Sequence, residues 1–234
     1  MGNFVLTVGK KTDSHRITTK HFLMHGMLHG VWHFENKILF TIKQAVVRPG
    51  YAAIEYIEGK RVKYYNVFYM VALLLGISLF LSHSYNNYYS ETFHITPDVK
   101  MDPLDIVVMK YLKIITLCFI PFAAINSYIL FRKAKLNFPE HLIIAGFSFL
   151  GVVVIGLVYV IVSFLAILFK TPFPQFLNFA PPFIFLTIFS ITYYQAFKRT
   201  GPGIWWKLLV WIILIISEFM AILFVSAAIL RANL

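Results

Sequence analysis

Cysteine occurs once, at Cys118, so the chain can close no intramolecular disulfide and build no cysteine metal cluster of its own. Cys118 sits in an apolar run and reads as a packing residue. Charge is sparse: 13% of the 234 residues are charged and 59% are hydrophobic, which excludes a soluble globule with one core. Acids are scarcer than bases, 10 Asp and Glu against 21 Lys and Arg, for a formal net charge of +11. Such an excess serves nucleic acid or the cytoplasmic side of a membrane protein, and its placement here favours the membrane, with no nucleic-acid partner expected. Missing too are a G-x-S-x-G elbow, a phosphate-cradling glycine loop and an H-E-x-x-H pair. The opening MGNFVLTVGKKTDSH lacks a signal-peptide core, so the first hydrophobic span is expected to direct insertion. Leu6 stands where N-myristoylation needs Ser or Thr, which excludes that modification.

What is present is a series of long apolar runs separated by basic turns. Residues 1–63 carry ten Lys or Arg against four acids and hold no run long enough to span a bilayer. From a cap at Thr18 or Thr19, Met24, Met27, Leu28 and Val31 form one helical face. After a break at Glu35 and Asn36, Ile38, Leu39, Ile42, Ala45 and Val46 form another, stopped by Arg48, Pro49 and Gly50. A third short helix runs from Tyr51 to Glu58. These are expected to lie in the interface as a cytoplasmic cap.

Lys60, Arg61, Lys63, Tyr64 and Tyr65 mark the cytoplasmic edge of the remaining domain, residues 64–234. Spans are predicted at 66–81, 110–131, 142–169, 182–194 and 207–230. The loop His83–Asp105 is acidic, whereas Arg132, Lys133, Lys135, Lys198, Arg199 and Lys207 fall in the alternate turns. Five spans therefore put the basic turns on one side, with the N-terminus inside and the C-terminus outside. The segment 182–194 is the shortest, and a re-entrant course there would return the C-terminus to the inside. Pro121 is expected to kink the second span.

The densest chemistry lies in HFLMHGMLHGVWH, where His21, His25, His29 and His33 recur every fourth residue. An i, i+4 histidine pair on a helix can chelate a divalent ion such as zinc, with Glu35, Glu140 or His141 as further ligands. Each step of four drifts about 40° round the helix, so the four cannot serve one ion. The alternative is that histidine simply suits a headgroup boundary. Gly26 and Gly30 form a small-xxx-small pair that either admits another helix or loosens this one. Arg48, Lys60, Arg61 and Lys63 could hold a lipid phosphate, or be an ordinary juxtamembrane cluster. Glu218, a carboxylate deep in the last predicted span, is either a proton or cation relay or a protonated group bonded to Asn126 or a serine.

The stretch TDSHRITTKHFLMHGMLHGVWHFENKILFTIKQAVVRPGYAAIEYIEGKRVKYYN resembles the opening of a multi-pass membrane family of Bacteroidota known only as a domain of unknown function. IPFAAINSYILFRKAKLNFPEHLIIAGFSF and ITYYQAFKRTGPGIWWKLL resemble its later blocks. Arg48, Pro49, Gly50, Gly59, Lys60, Arg61, Glu140 and His141 match its pattern. Members often begin with a zinc ribbon of two C-x-x-C knuckles; Val5 and Val8 stand here where cysteines would be, so that ribbon is absent or decayed.

The fold class expected is all-α, a polytopic helical bundle with interfacial helices at its cytoplasmic N-terminus. The function expected is a bacterial inner-membrane accessory or envelope-associated factor acting through anionic lipids, through its own copies or through a membrane protein partner. The alternatives are a small transporter or channel using Glu218 and Asn126, and an enzyme dependent on metal or lipid phosphate.

Overall fold

The computed structural model describes residues 28–92, 119–169, 180–198, 201 and 203–232. The described residues form helices and the turns between them, with no β-strand. In chain order the helices are α1 (Leu28–Val47), α2 (Pro49–Ile57), α3 (Val67–Thr92), α4 (Phe119–Leu130), α5 (Phe138–Leu168), α6 (Ala180–Phe197) and α7 (Ile204–Ala232). Short 3₁₀ turns occupy Lys60–Lys63 and Arg132–Ala134. The chain divides into two compact units, Met1–Asn36 and Lys37–Leu234. The described residues of the first are helical; the packing below belongs to the second.

Local chemistry sets where several helices begin. Pro49 opens α2, where a missing N–H costs nothing, and Gly59 at φ 98° ends the segment in the left-handed region. Asn66 caps α3: its Oδ1 accepts the backbone N–H groups of Phe68 at 3.1 Å and Tyr69 at 3.2 Å. At α5 the Glu140 carboxylate reaches back to accept the Asn137 N–H at 2.7 Å.

Two helices differ from the sequence expectation. The break placed at Glu35 and Asn36 is absent, and α1 runs straight through both. Neither residue removes a backbone donor or requires positive φ, so their modest propensity cost of a few tenths of a kcal/mol does not end a helix. The first predicted span was to stop at Leu81, yet α3 continues to Thr92. Its polar tail bonds to itself: Ser84 Oγ donates to the Phe80 carbonyl at 3.0 Å, His83 and Asn87 meet at 3.3 Å, and Tyr85 stacks on Tyr89. Hydropathy locates the apolar part of a helix and is blind to such a continuation.

Two stretches among the described residues, Lys60–Glu91 and Phe138–Leu168, are long and apolar enough to cross a membrane, against five predicted. The beginning of the second predicted span, residues 110–118 with Cys118, lies outside the described residues, as do Thr18, Thr19, Met24, Gly26 and Met27.

The core is built around α5, which packs against α2, α3 and α6. Phe185, Phe189, Tyr193 and Phe197 recur every fourth residue along α6 and form an aromatic column. Trp211 of α7 lies 4.3 Å from Tyr193, and Phe131 stacks on Phe197 at 4.2 Å with an interplanar angle of 6°. Trp211, Tyr193, Phe131 and Phe197 are fully buried. Each such ring pair contributes about 0.5–1.5 kcal/mol beyond its area burial.

Candidate functional site

Three turns meet at one end of the bundle. The Arg48–Pro49–Gly50 turn reaches α6, where the Gly50 N–H donates to Gln195 Oε1 at 3.1 Å. Close approach is possible only because residue 50 has no side chain: a Cβ there would lie 2.2 Å from the Thr192 carbonyl oxygen and 2.8 Å from the Ala196 nitrogen. The Arg132–Ala134 turn is joined to the same place through Phe131 on Phe197, and α7 begins beside it, with Lys207 Nζ 5.7 Å from the Phe131 ring centre. Lys198 Nζ stands 4.9 Å over the Tyr51 ring. The 3₁₀ turn Lys60–Lys63 follows α2 directly, with all of its residues exposed. Exposed Trp205 stacks on Tyr194 at 4.9 Å, placing an interfacial aromatic at this end.

A polar relay ties this end together. Arg48 Nε donates to Gln44 Oε1, its Nη2 pairs with Glu55 Oε1 at 3.4 Å, and the Tyr64 hydroxyl donates to Glu55 Oε2 at 3.1 Å. The Tyr64 ring is buried between Phe40, Tyr56 and Phe147. Thr41 Oγ1 donates to the Lys37 carbonyl at 2.7 Å and accepts the Tyr65 N–H at 2.8 Å, pinning the start of α3 to α1. Between α2 and the end of α6 lies a cleft of about 170 Å³, lined by Arg48, Tyr51, Glu55, Glu58 and Gln195. Its cations and acids are largely matched: Lys60 Nζ meets Glu58 Oε2 at 3.9 Å, and the Arg61 guanidinium lies over Tyr56. Of the expected lipid-contact residues, Arg48 is therefore partly engaged within the protein, whereas Lys60, Arg61 and Lys63 are exposed.

The zinc reading is overturned. Among the described residues no group of three or more His, Cys, Asp or Glu is arranged to hold a metal ion. The two ligands expected from the third span have other duties. Glu140 spends its carboxylate on the helix cap, and His141, 1% exposed, shares a 2.8 Å hydrogen bond between Nδ1 and Ser127 Oγ. Its ring stacks on Phe197 and meets Tyr128 edge-on, which makes it a packed link between α4, α5 and α6. Adjacent in sequence, the two residues start a helix and fill its core rather than converge on one ion. His21 and His25 lie outside the described residues, and His29 and His33 fall on α1.

The two polar residues singled out from sequence in predicted spans do come together. Asn126 Nδ2 of α4 donates to Glu218 Oε1 of α7 at 3.0 Å, across 92 residues of chain. Glu218 Oε2 is buried and has no hydrogen-bond partner among the described residues. A second, apolar groove of about 470 Å³ opens nearby, lined by Phe119, Val152, Phe185, Leu186, Ile215 and Met220 among others.

Sequence reasoning missed Glu55, Gln195 and Ser127, whose roles exist only once distant helices meet. It also missed the aromatic column of α6, whose four-residue period was there to be read.

Helical throughout its described residues, with two helices apolar and long enough to cross a bilayer, the chain is a membrane-associated protein. Residues 35–79 match the model of a family described as protein of unknown function (DUF3667), a stretch that includes Arg48, Glu55, Lys60, Arg61 and Lys63. No curated protein and no solved structure matches the chain.

Proposed function

We propose that this is a five-span bacterial inner-membrane protein, N-terminus in the cytoplasm and C-terminus in the periplasm, that acts as an accessory factor by holding anionic lipid headgroups and membrane partners at its basic end. The observation that carries this reading is the gathering of Arg48, Lys60, Arg61, Lys63, Arg132, Lys133, Lys135, Lys198 and Lys207 on turns linked through α2, α6 and Phe131, with Glu55, Glu58 and Glu140 as the acids beside them. Each exposed basic group near an anionic membrane surface contributes about 1 kcal/mol of attraction. Headgroup phosphates are the natural counter-charges for such an end, and Trp205 beside it suits the same boundary.

Lipid retention tests the reading. Purified in mild detergent, the chain is expected to keep anionic phospholipid in preference to zwitterionic lipid, seen by native mass spectrometry. Substituting Lys60, Arg61 and Lys63 by Ala, and separately Arg132, Lys133 and Lys135, is expected to reduce the anionic lipid kept. Equal retention of both lipid classes by every variant sinks the proposal.

A further inference from the structure

We propose that Glu218 is a proton-binding carboxyl of the bundle interior, one oxygen held by Asn126 and the other carrying an exchangeable proton. Glu218 is the central residue of α7, fourteen positions from either end, so it lies as far from both helix termini as the chain allows. Asn126 Nδ2 donates to Oε1 at 3.0 Å, and this is the only hydrogen bond seen at the carboxyl among the described residues. Oε2 is buried, and among the described residues no donor and no cation faces it. An ionised carboxyl would spread negative charge onto that uncompensated oxygen in an apolar interior, whereas a proton on Oε2 removes the charge without needing a counter-ion.

Among the described residues, no competing charge faces Glu218. The described residues of α4 and all of α6 contain no Lys, Arg, Asp, Glu or His. Their titratable groups are tyrosines occupied elsewhere: Tyr128 packs edge-on to His141, the Tyr193 hydroxyl donates to the Ala123 carbonyl, and Tyr194 stacks on Trp205. On α7, Lys207 sits three turns nearer the basic end, over Phe131. A bound metal ion would require several further oxygen or nitrogen ligands, and no such group exists among the described residues. A proton requires only the one free oxygen. Asn126, a neutral donor, fixes the carboxyl without demanding that it be ionised.

Two readouts on the full chain in lipid nanodiscs at neutral pH test this. A membrane-soluble carbodiimide reacts with a protonated carboxyl: the proton passes to one reagent nitrogen, the carboxyl oxygen bonds to the central carbon, and an acyl shift to nitrogen leaves a stable N-acylurea. Peptide mapping is expected to find Glu218 carrying the mass of the whole reagent, and to find no such adduct at that position in Glu218→Gln. Infrared spectra reveal the proton itself, as the carbonyl band of a protonated carboxylic acid that moves on transfer to D₂O. An unmodified Glu218 together with no such band in the unaltered protein overturns the proposal, and neither readout depends on a variant that folds.

Discussion

Among the described glycines, Gly50 and Gly151 are the two at which an added methyl group would strike the backbone of another helix. At Gly151 an added Cβ would lie 2.5 Å from the Ala45 carbonyl oxygen of α1, and at Gly50 it would meet the Thr192 carbonyl oxygen, the Ala196 nitrogen and the Gln195 Cβ, which is fixed to its backbone. Backbone cannot rotate aside as a flexible side chain can, so Gly50→Ala and Gly151→Ala are expected to cost about 1–3 kcal/mol each, toward the upper end of that range. Gly156, on the same helix as Gly151, meets nothing within 4 Å. Gly156→Ala should therefore be neutral or add up to about 1 kcal/mol from helix propensity. Thermal unfolding in one detergent would rank the three, and a Gly50→Ala protein as stable as the parent would contradict the close packing of α2 on α6. A second prediction concerns His141. Ser127→Ala removes the partner of its buried ring nitrogen and is expected to lower stability by about 1–3 kcal/mol. Ser127→Thr keeps the hydroxyl and should lose less in the same assay.

At the scale of elements, caps decide where helices start. Asn66→Ala would leave the Phe68 and Tyr69 N–H groups without their side-chain acceptor, a loss of about 1 kcal/mol, and Asn66→Asp should preserve most of the stability. A denaturation midpoint that does not move in Asn66→Ala would show that the packing of Tyr64 and Val67, not the cap, sets this start. The beginnings of α3 and α5 were legible in the sequence because Asn66 and Glu140 act on their immediate neighbours, whereas Pro49, read from sequence as a stop, opens α2 itself. The course of α1 through Glu35, and of α3 past Leu81, was not legible: each depends on side chains that are merely tolerated in a helix. The expected ligand pair Glu140 and His141 failed for a related reason. Two adjacent helical residues point about 100° apart, one back toward the cap and one into the core, so shared proximity in sequence gave no shared site. The Asn126–Glu218 contact, by contrast, was open to anticipation, because two polar groups in apolar spans find few partners except each other.

For the molecule as a whole, the arrangement of basic turns sets a topology that can be tried directly. α3 and α5 are each long enough to cross; at 1.5 Å per residue the 31 residues of α5 reach about 46 Å, beyond the roughly 30 Å of hydrocarbon. The excess falls naturally at the Asn137 end, where α5 carries Glu140 and buried His141 and joins α2 and the Arg132 turn. If that end is cytoplasmic, the Lys60–Lys63 and Arg132–Lys135 turns lie on one side and the polar tail of α3 on the other. Single-cysteine labelling with a membrane-impermeant maleimide, in a Cys118→Ser background, is expected to mark position 62 only in inverted vesicles and position 90 only in right-side-out cells. Labelling of both positions from the same side would defeat the proposed topology, since α3 would then not cross. A C-terminal reporter extends the argument to α6 and α7. Activity confined to the periplasm is expected for five crossings, whereas cytoplasmic activity would mean that α6, at 18 residues the shortest of the described helices after α2 and α4, turns back before it leaves the membrane.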